Sequence, residues 1–278
     1  MRVRERILLI GSSGLVGRAL EEGLRKDYRI IPAAGHQVPD GGYCLAAEEP
    51  DWLREVLGWE EPDIVISTIR GDFGAQMRFH ETLADWCARR DKRLLYVSTA
   101  NVFDGDLSRP RTEADPPCPE SEYGAFKRDC EEMLYRRLGE RLVIFRPASV
   151  WAAGCPRIRA LKAHSQSGER HHTIRNDAVN VTLARQIGEY ARYVLTHGLR
   201  GIFHVRTTDM ADYFAFEKMV CETLGIAPPE FDVTAAEPQA YQAVLPAREE
   251  IPGELQLTVA QVLDELRREE NNFAKTLL

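Results

Sequence analysis

The segment ILLIGSSGLVGRAL, residues 7–20, constrains the fold more than any other part of the chain. An apolar run ends at a glycine, as in a strand buried on both faces. Gly11, Gly14 and Gly17 follow, and Leu15, Ala19, Leu20 and Leu24 then recur with helical periodicity. A strand, a glycine turn and an amphipathic helix in that order suit a dinucleotide-binding crossing. The spacing is G-x-x-G-x-x-G, one residue longer in its first gap than the usual G-x-G-x-x-G. The physics carries over. Glycine permits a tight turn and a close approach of backbone to pyrophosphate, and the helix N-terminus offers free N–H groups. Gly17 is expected where helix and strand pack closely.

The alternation continues. YRIIPAA, DIVIST, RLLYVST and RLVIFRP read as further strands. EPDWLREVLGW, GAQMRFHETLADWCARRDK and the segment from Ser121 to about Leu138 read as helices. That order predicts an α/β fold, a Rossmann-like doubly wound parallel sheet. In such folds ligands lie outside the carboxyl ends of the strands, where Gly11, Ser67, Thr68, Thr99 and Arg146 fall.

After Pro147 the pattern loosens. NVTLARQIGEYARYVLTHG reads as a helix closed by Gly198, RGIFHVRT as a strand, and DYFAFEKMVCETLG and TVAQVLDELRREE as helices. The proline-rich stretch IAPPEFDVTAAEPQAYQAVLPAREEIPG reads as loops and short strands of a smaller C-terminal substrate lobe. Residues 1–150 with about 178–206 are expected to form the NAD(P)-binding domain, and about 151–177 with 207–278 the lobe.

The net charge of -7 and the lack of a long basic run argue against nucleic acid as a partner. No stretch approaches a membrane span, and Gly-Ser-Ser-Gly interrupts the apolar start too early for a secretory signal. Six scattered cysteines without C-x-x-C suggest reduced thiols and a cytoplasmic location. His171 and His172 are adjacent, so they point apart on a helix or strand, and no metal site is expected.

SEYGAFKRD places Tyr123 and Lys127 one turn apart on one helix face. Spacing alone fits a catalytic pair or an aromatic beside a solvated lysine. Taken with GSSGLVG, YVSTANVFDGD and FRPASVW, it resembles the extended short-chain dehydrogenase/reductases. Within them the chain is most similar to the dTDP-4-dehydrorhamnose reductase-like, sugar nucleotide-binding group. RNDAVNVTLARQI and ELQLTVAQVLDEL extend the resemblance into the second lobe.

The resemblance implies an NAD(P)H-dependent reductase of a 4-keto (deoxy) sugar nucleotide. Tyr123 would be the proton donor, Lys127 would favour its phenolate and bind the nicotinamide ribose, and Thr99 would hydrogen-bond the substrate carbonyl. Gly11, Ser13, Gly14, Leu15, Val16, Gly17, Thr68, Ile69, Ser98 and Pro147 would join Tyr123 and Lys127 around the cofactor. Asn101, Val102, Phe103 and Arg146 would meet the substrate, and Arg157, Arg159 or Arg175 could join Arg146 on a diphosphate. A homodimer is allowed by this reading but not required.

The second strand ends in PAAGHQ, with neither a carboxylate to repel a 2'-phosphate nor an arginine to hold one. His36 and Gln37 remain for ribose contacts, and NADP is slightly favoured over NAD. Where relatives often carry Asp-Tyr after Ser-Thr, this chain has Ala100-Asn101, which disfavours dehydration chemistry. Arg70 stands where small residues are usual, as a surface charge or a phosphate clamp. The loop DGDLSRPRTEADPPCPESE, stiffened by four prolines, reads as a substrate rim. A non-catalytic NAD(P)-binding regulatory subunit and a nucleotide-sugar epimerase are the alternative readings.

Overall fold

A computed structural model of the chain describes residues 4–36, 38 and 40–276. Strand β1 (Arg6–Ile10) leads into helix α1 (Leu15–Leu24), β2 (Arg29–Ala34), the short β3 (Tyr43–Cys44) and α2 (Pro50–Glu60). β4 (Ile64–Ser67), α3 (Phe73–Arg90), β5 (Arg93–Val97), α4 (Glu122–Leu138) and β6 (Leu142–Pro147) follow. Next come β7 (Ser149–Trp151), α5 (Pro156–Ser167), β8 (His171–Val179), β9 (Val181–Leu183), α6 (Ala184–Thr196) and β10 (Gly201–Val205). β11 (Ala211–Asp212), α7 (Tyr213–Leu224), β12 (Phe231–Gln242) and α8 (Val259–Thr276) end the described chain.

Seven strands form one sheet in the order β10-β6-β5-β4-β1-β2-β3. Every pairing in it is parallel. The chain leaves β1 towards β2 and β3, then resumes at β4 on the opposite side of β1. That reversal opens a crevice at the carboxyl ends of β1 and β4.

Side-chain alternation along each strand explains the two covered faces. Leu8 and Ile10 of β1 pack with Leu53, Val56, Phe79, Leu83 and Leu134 of α2, α3 and α4. Ile7 and Leu9 pack on the other face with Leu20, Leu24, Ile187 and Val194 of α1 and α6. The expected doubly wound sheet is the observed one. Local chemistry starts the site-bearing helices: Asp72 accepts from Ala75 N at 2.7 Å, and Ser121 Oγ accepts from Gly124 N at 3.0 Å.

The second half departs from expectation in several places. The proline-rich stretch contains one long strand, β12, paired parallel to β8 with a register shift between Ala235 and Ala240. β12 is mostly exposed, so it carries no alternating apolar signal. Helix α5 buries only Ile158 and Leu161, too few to mark it as amphipathic. Val181-Thr182-Leu183 forms strand β9 beside β7, ahead of the expected helix. β8, β11 and β12 make a three-stranded sheet, and Trp151, Ile158, Phe216, Val220 and Val262 form a separate apolar cluster.

The long loop before α4 straps the two halves together. Arg111 N donates to Ala243 O at 3.1 Å, Leu245 N to Arg111 O at 2.6 Å, and Tyr241 N to Leu107 O at 2.9 Å.

Arg146 corrects the sequence reading. It lies near the carboxyl end of β6, but its side chain turns towards α4 and is 2% exposed. Its Nε donates to Glu131 Oε1 at 3.0 Å and its Nη2 to Oε2 at 2.5 Å, while the guanidinium lies over the Phe103 ring. The partner it was expected to find in a substrate is a carboxylate of its own chain. Removing one member of such a pair strands a buried charge, at a cost of about 3–5 kcal/mol. Glu131→Ala is expected to lower the unfolding free energy in urea by about that much, and Glu131→Leu with Arg146→Met to recover most of the loss.

Candidate active site

The glycine turn begins at Gly11, whose φ of +88° lies in the left-handed region. A Cβ on Gly17 would stand 2.1 Å from Gly11 O, so the helix approaches the turn as only glycine allows. Gly14 precedes α1, no side chain caps the helix, and no acidic residue stands in its first turn. The positive end of α1 is therefore left to an outside anion.

This turn opens into a cavity of about 1020 Å³ that continues along the sheet edge. Gly11, Ser13, Gly14, Leu15, Val16, Gly17, Thr68, Ile69, Ser98, Tyr123, Lys127 and Pro147 all line it, as does Thr99. Its volume and glycine cradle fit a dinucleotide with room for a second ligand. Asn101 and Phe103 also line it, and Val102 does not. Val102 is fully buried with Ala148 and Val244, because the 3-10 turn Ala100–Phe103 directs it inward. Arg157 and Arg159 reach the cavity, whereas Arg175 is exposed outside its lining. Gln37 lies outside the described residues, while His36 is on the cavity rim.

Tyr123 and Lys127 occupy one face of α4. Lys127 Nζ stands 5.9 Å from the Tyr123 ring centre and 4.7 Å from that of Tyr96, and donates to Val97 O at 3.1 Å. Burial pushes this ammonium down to about 8, and the positive Arg70 adds to the lowering. Burial also raises the Tyr123 phenol above its ordinary value, against the opposing pull of Arg70 and Thr99. Thr99 Oγ1 donates to Asn101 Oδ1 at 3.0 Å and accepts from Asn101 N at 3.2 Å, which orients the hydroxyl at the end of β5. Below the pair, His80 sits between Ser67 Oγ at 2.9 Å and Gln76 O at 2.7 Å. Burial lowers it to about 3, so it stays neutral beneath the lysine.

Several lining residues escaped the sequence reading. Arg18 stands on α1 directly after Gly17 and lines the cavity with His36. The glycine motif places it there, whereas the pattern predicts a 2'-phosphate partner only at the end of β2. Asp177, Tyr213 and Gln242 come from β8, α7 and β12, where no local motif marks them. His171 is buried and His172 exposed, as strand alternation requires, and the His171 ring contacts His164 and Glu217. No described helix is long and apolar enough to cross a membrane.

The depressed lysine makes a stability prediction. Its unfolded value is 10.5 and its folded value about 8, so between these the unfolded chain binds more protons and stability rises with pH. Below about 8 the full cost of charging the buried ammonium is present. Lys127→Met is expected to raise the unfolding free energy at about pH 7 by about 1–3 kcal/mol, with the advantage shrinking towards about pH 10. Urea titrations at both pH values check this, and a destabilised variant at neutral pH would contradict it.

Comparisons with known proteins supply the family. The family model described as RmlD substrate binding domain matches residues 5–277. A dTDP-4-dehydrorhamnose reductase of Burkholderia thailandensis is 24% identical over 87% of this chain and 84% of its own. The crystal structure of a dTDP-4-dehydrorhamnose reductase from Clostridium acetobutylicum superposes with a TM-score of 0.81 at 18% identity, covering 94% of this chain and 98% of that one. A dTDP-4-dehydrorhamnose reductase from Bacillus anthracis in complex with NADP gives 0.78 at 18% identity, covering 98% and 99%. With a model match that spans nearly the whole chain, the chain belongs to the RmlD substrate binding domain family.

Proposed function

We propose that the chain is an NAD(P)H-dependent reductase of a 4-keto sugar nucleotide, with Tyr123 as proton donor. One observation carries this reading: a single cavity joins the glycine turn and the bare start of α1 to Thr99, Tyr123 and Lys127. The reductase names of the similar proteins support it. In this reading residues 1–150 with about 178–206 hold the cofactor, and the remaining segments shape the substrate end.

Gly11, Gly14 and Gly17 let the backbone meet a pyrophosphate, and the N–H groups of α1 hold its charge. The bound nicotinamide supplies the hydride, which no side chain can. Tyr123 gives its phenol proton to the ketone oxygen, and Thr99 turns its hydroxyl proton from Asn101 Oδ1 to that oxygen as charge develops. The Lys127 ammonium stabilises the phenolate left on Tyr123. Asn101 offers an amide to a sugar hydroxyl. Ala100 and Asn101 supply no carboxylate beside Thr99, so acid–base elimination has no agent there.

NADP is the preferred cofactor in this proposal. Arg18 and His36 both line the cavity, and the Arg18 guanidinium would pair with a 2'-phosphate. The exposed Glu48 also lines the cavity, and the balance between these charges sets the preference. Arg18→Ala is expected to raise the KM for NADPH about three- to tenfold and to leave that for NADH nearly unchanged. Equal effects on both would remove Arg18 from the phosphate.

The deciding assay follows NADPH and NADH oxidation against a panel of 4-keto nucleotide sugars. Turnover is expected with at least one, and Tyr123→Phe should lower kcat by about a hundredfold or more while cofactor Kd stays within about threefold. Full activity in that variant would refute the proton donor. Tightly held NAD released on denaturation, with no net oxidation, would mark an epimerase instead.

A further inference from the structure

Lys127 is a buried ammonium with few partners. Among the described residues a single hydrogen bond leaves its Nζ, to Val97 O on β5 at 3.1 Å. Glu131, one turn further along α4, is engaged by Arg146 instead. What lies against the ammonium is the ring of Tyr96, the residue before Val97, with its centre 4.7 Å from Nζ. Tyr123 and Phe126 stand at 5.9 and 6.0 Å, near the limit at which a ring still attracts a cation. Tyr96 is 1% exposed, and its hydroxyl has no hydrogen-bond partner among the described residues. The ring, and not the hydroxyl, is therefore what this residue contributes. His80 braces it: the two ring planes cross at 81° with centres 5.0 Å apart, and Ser67 Oγ and Gln76 O hold the imidazole at either nitrogen.

We propose that Tyr96 is a positioning residue for Lys127: its ring face stabilises the charged ammonium without bringing a negative charge to the Tyr123 phenol. The inference rests on the reductase reading, in which that ammonium binds the nicotinamide ribose and favours the phenolate. A carboxylate in the same place would stabilise the cation too, but its charge would cancel the positive field at the phenol. A π face attracts the cation through its quadrupole and leaves the net charge of the site unchanged, and the attraction is strongest where water is excluded. The ring and the accepting carbonyl come from consecutive residues of β5, and Thr99 follows two residues after Val97. One strand end thus positions both Lys127 and Thr99. The other titratable and charged groups around the ammonium are the neutral His80 of α3, Cys130 and Glu131 of α4, Tyr123 itself and Arg70 after β4.

The test changes the electrons of the ring and nearly keeps its shape. Phenylalanine and its mono-, di- and trifluoro derivatives are placed at position 96 of the full chain. Lys127 is titrated by NMR through 13C-labelled lysine Cε, its signal identified by its loss in Lys127→Met. Each fluorine withdraws charge from the ring face and weakens its hold on a cation. Tyr96→Phe is expected to keep the Lys127 midpoint within about 0.3 pH unit of the parent, and the added fluorines to lower it stepwise, by about one unit at three. Tyr96→Leu, which removes the face, should lower it by a similar amount; if that variant does not fold, the fluorinated series decides. One midpoint across the series overturns the proposal, because the ring would then be only an apolar spacer. A midpoint that moves in Tyr96→Phe and not with fluorine overturns it as well, by assigning the effect to the hydroxyl. None of these readings uses a substrate. If no 4-keto sugar is reduced, the reductase reading fails in its own assay, while the Lys127 midpoint still decides the part of Tyr96.

Discussion

A parallel sheet exposes no face to water, and that requirement organises this molecule. Seven parallel strands must be covered on both sides, so each strand is followed by a crossing chain segment, and the crossings are helices wherever the chain is long enough. All strands then end on one edge. Residues distant in sequence are gathered there: Gly11 after β1, Thr68 after β4, Thr99 after β5 and Pro147 at the end of β6. The reversal of direction at β1 and β4 leaves these ends uncovered, and the cavity is that gap. The grouping of Thr99, Tyr123 and Lys127 at one cavity follows from how a parallel sheet is covered.

Within this frame, two buried cations on adjacent elements have opposite surroundings. Arg146 on β6 has a bidentate carboxylate partner in Glu131 and faces the core. Lys127 on α4 has a backbone carbonyl and aromatic faces around it, with no paired carboxylate. A paired charge holds two elements together, whereas an unpaired one is costly and persists where chemistry uses it. That contrast separates a structural arginine from the lysine proposed to act in the reaction more clearly than position along the strand does.

The substrate end is built differently. The strap formed by Leu107 and Arg111 against residues 241–245 closes one side of the cavity with backbone hydrogen bonds. Leu107, Tyr241, Gln242 and Val244 thereby become cavity walls. Backbone pairing tolerates side-chain change, so this wall can alter its chemistry without loss of form. The Asn101 amide, held by Thr99, belongs to the same variable end, while the cofactor end is constrained by glycines that admit no Cβ.

The amino-acid sequence alone determined the sheet, its covering helices and the proximal half of the site. Ile7 to Ile10, the glycine turn, and Tyr123 with Lys127 are local patterns, and local patterns report backbone conformation and which face a side chain takes. β12, α5 and β9 were not legible, because exposed or briefly buried segments carry no apolar period. Only the tertiary structure decided that Arg146 turns to Glu131, that Val102 turns inward, and that Arg18, Arg70, Asp177 and Tyr213 share one cavity. The physical reason is that a side chain's partner across tens of residues is chosen by packing and electrostatics between elements, which no short stretch of chain encodes.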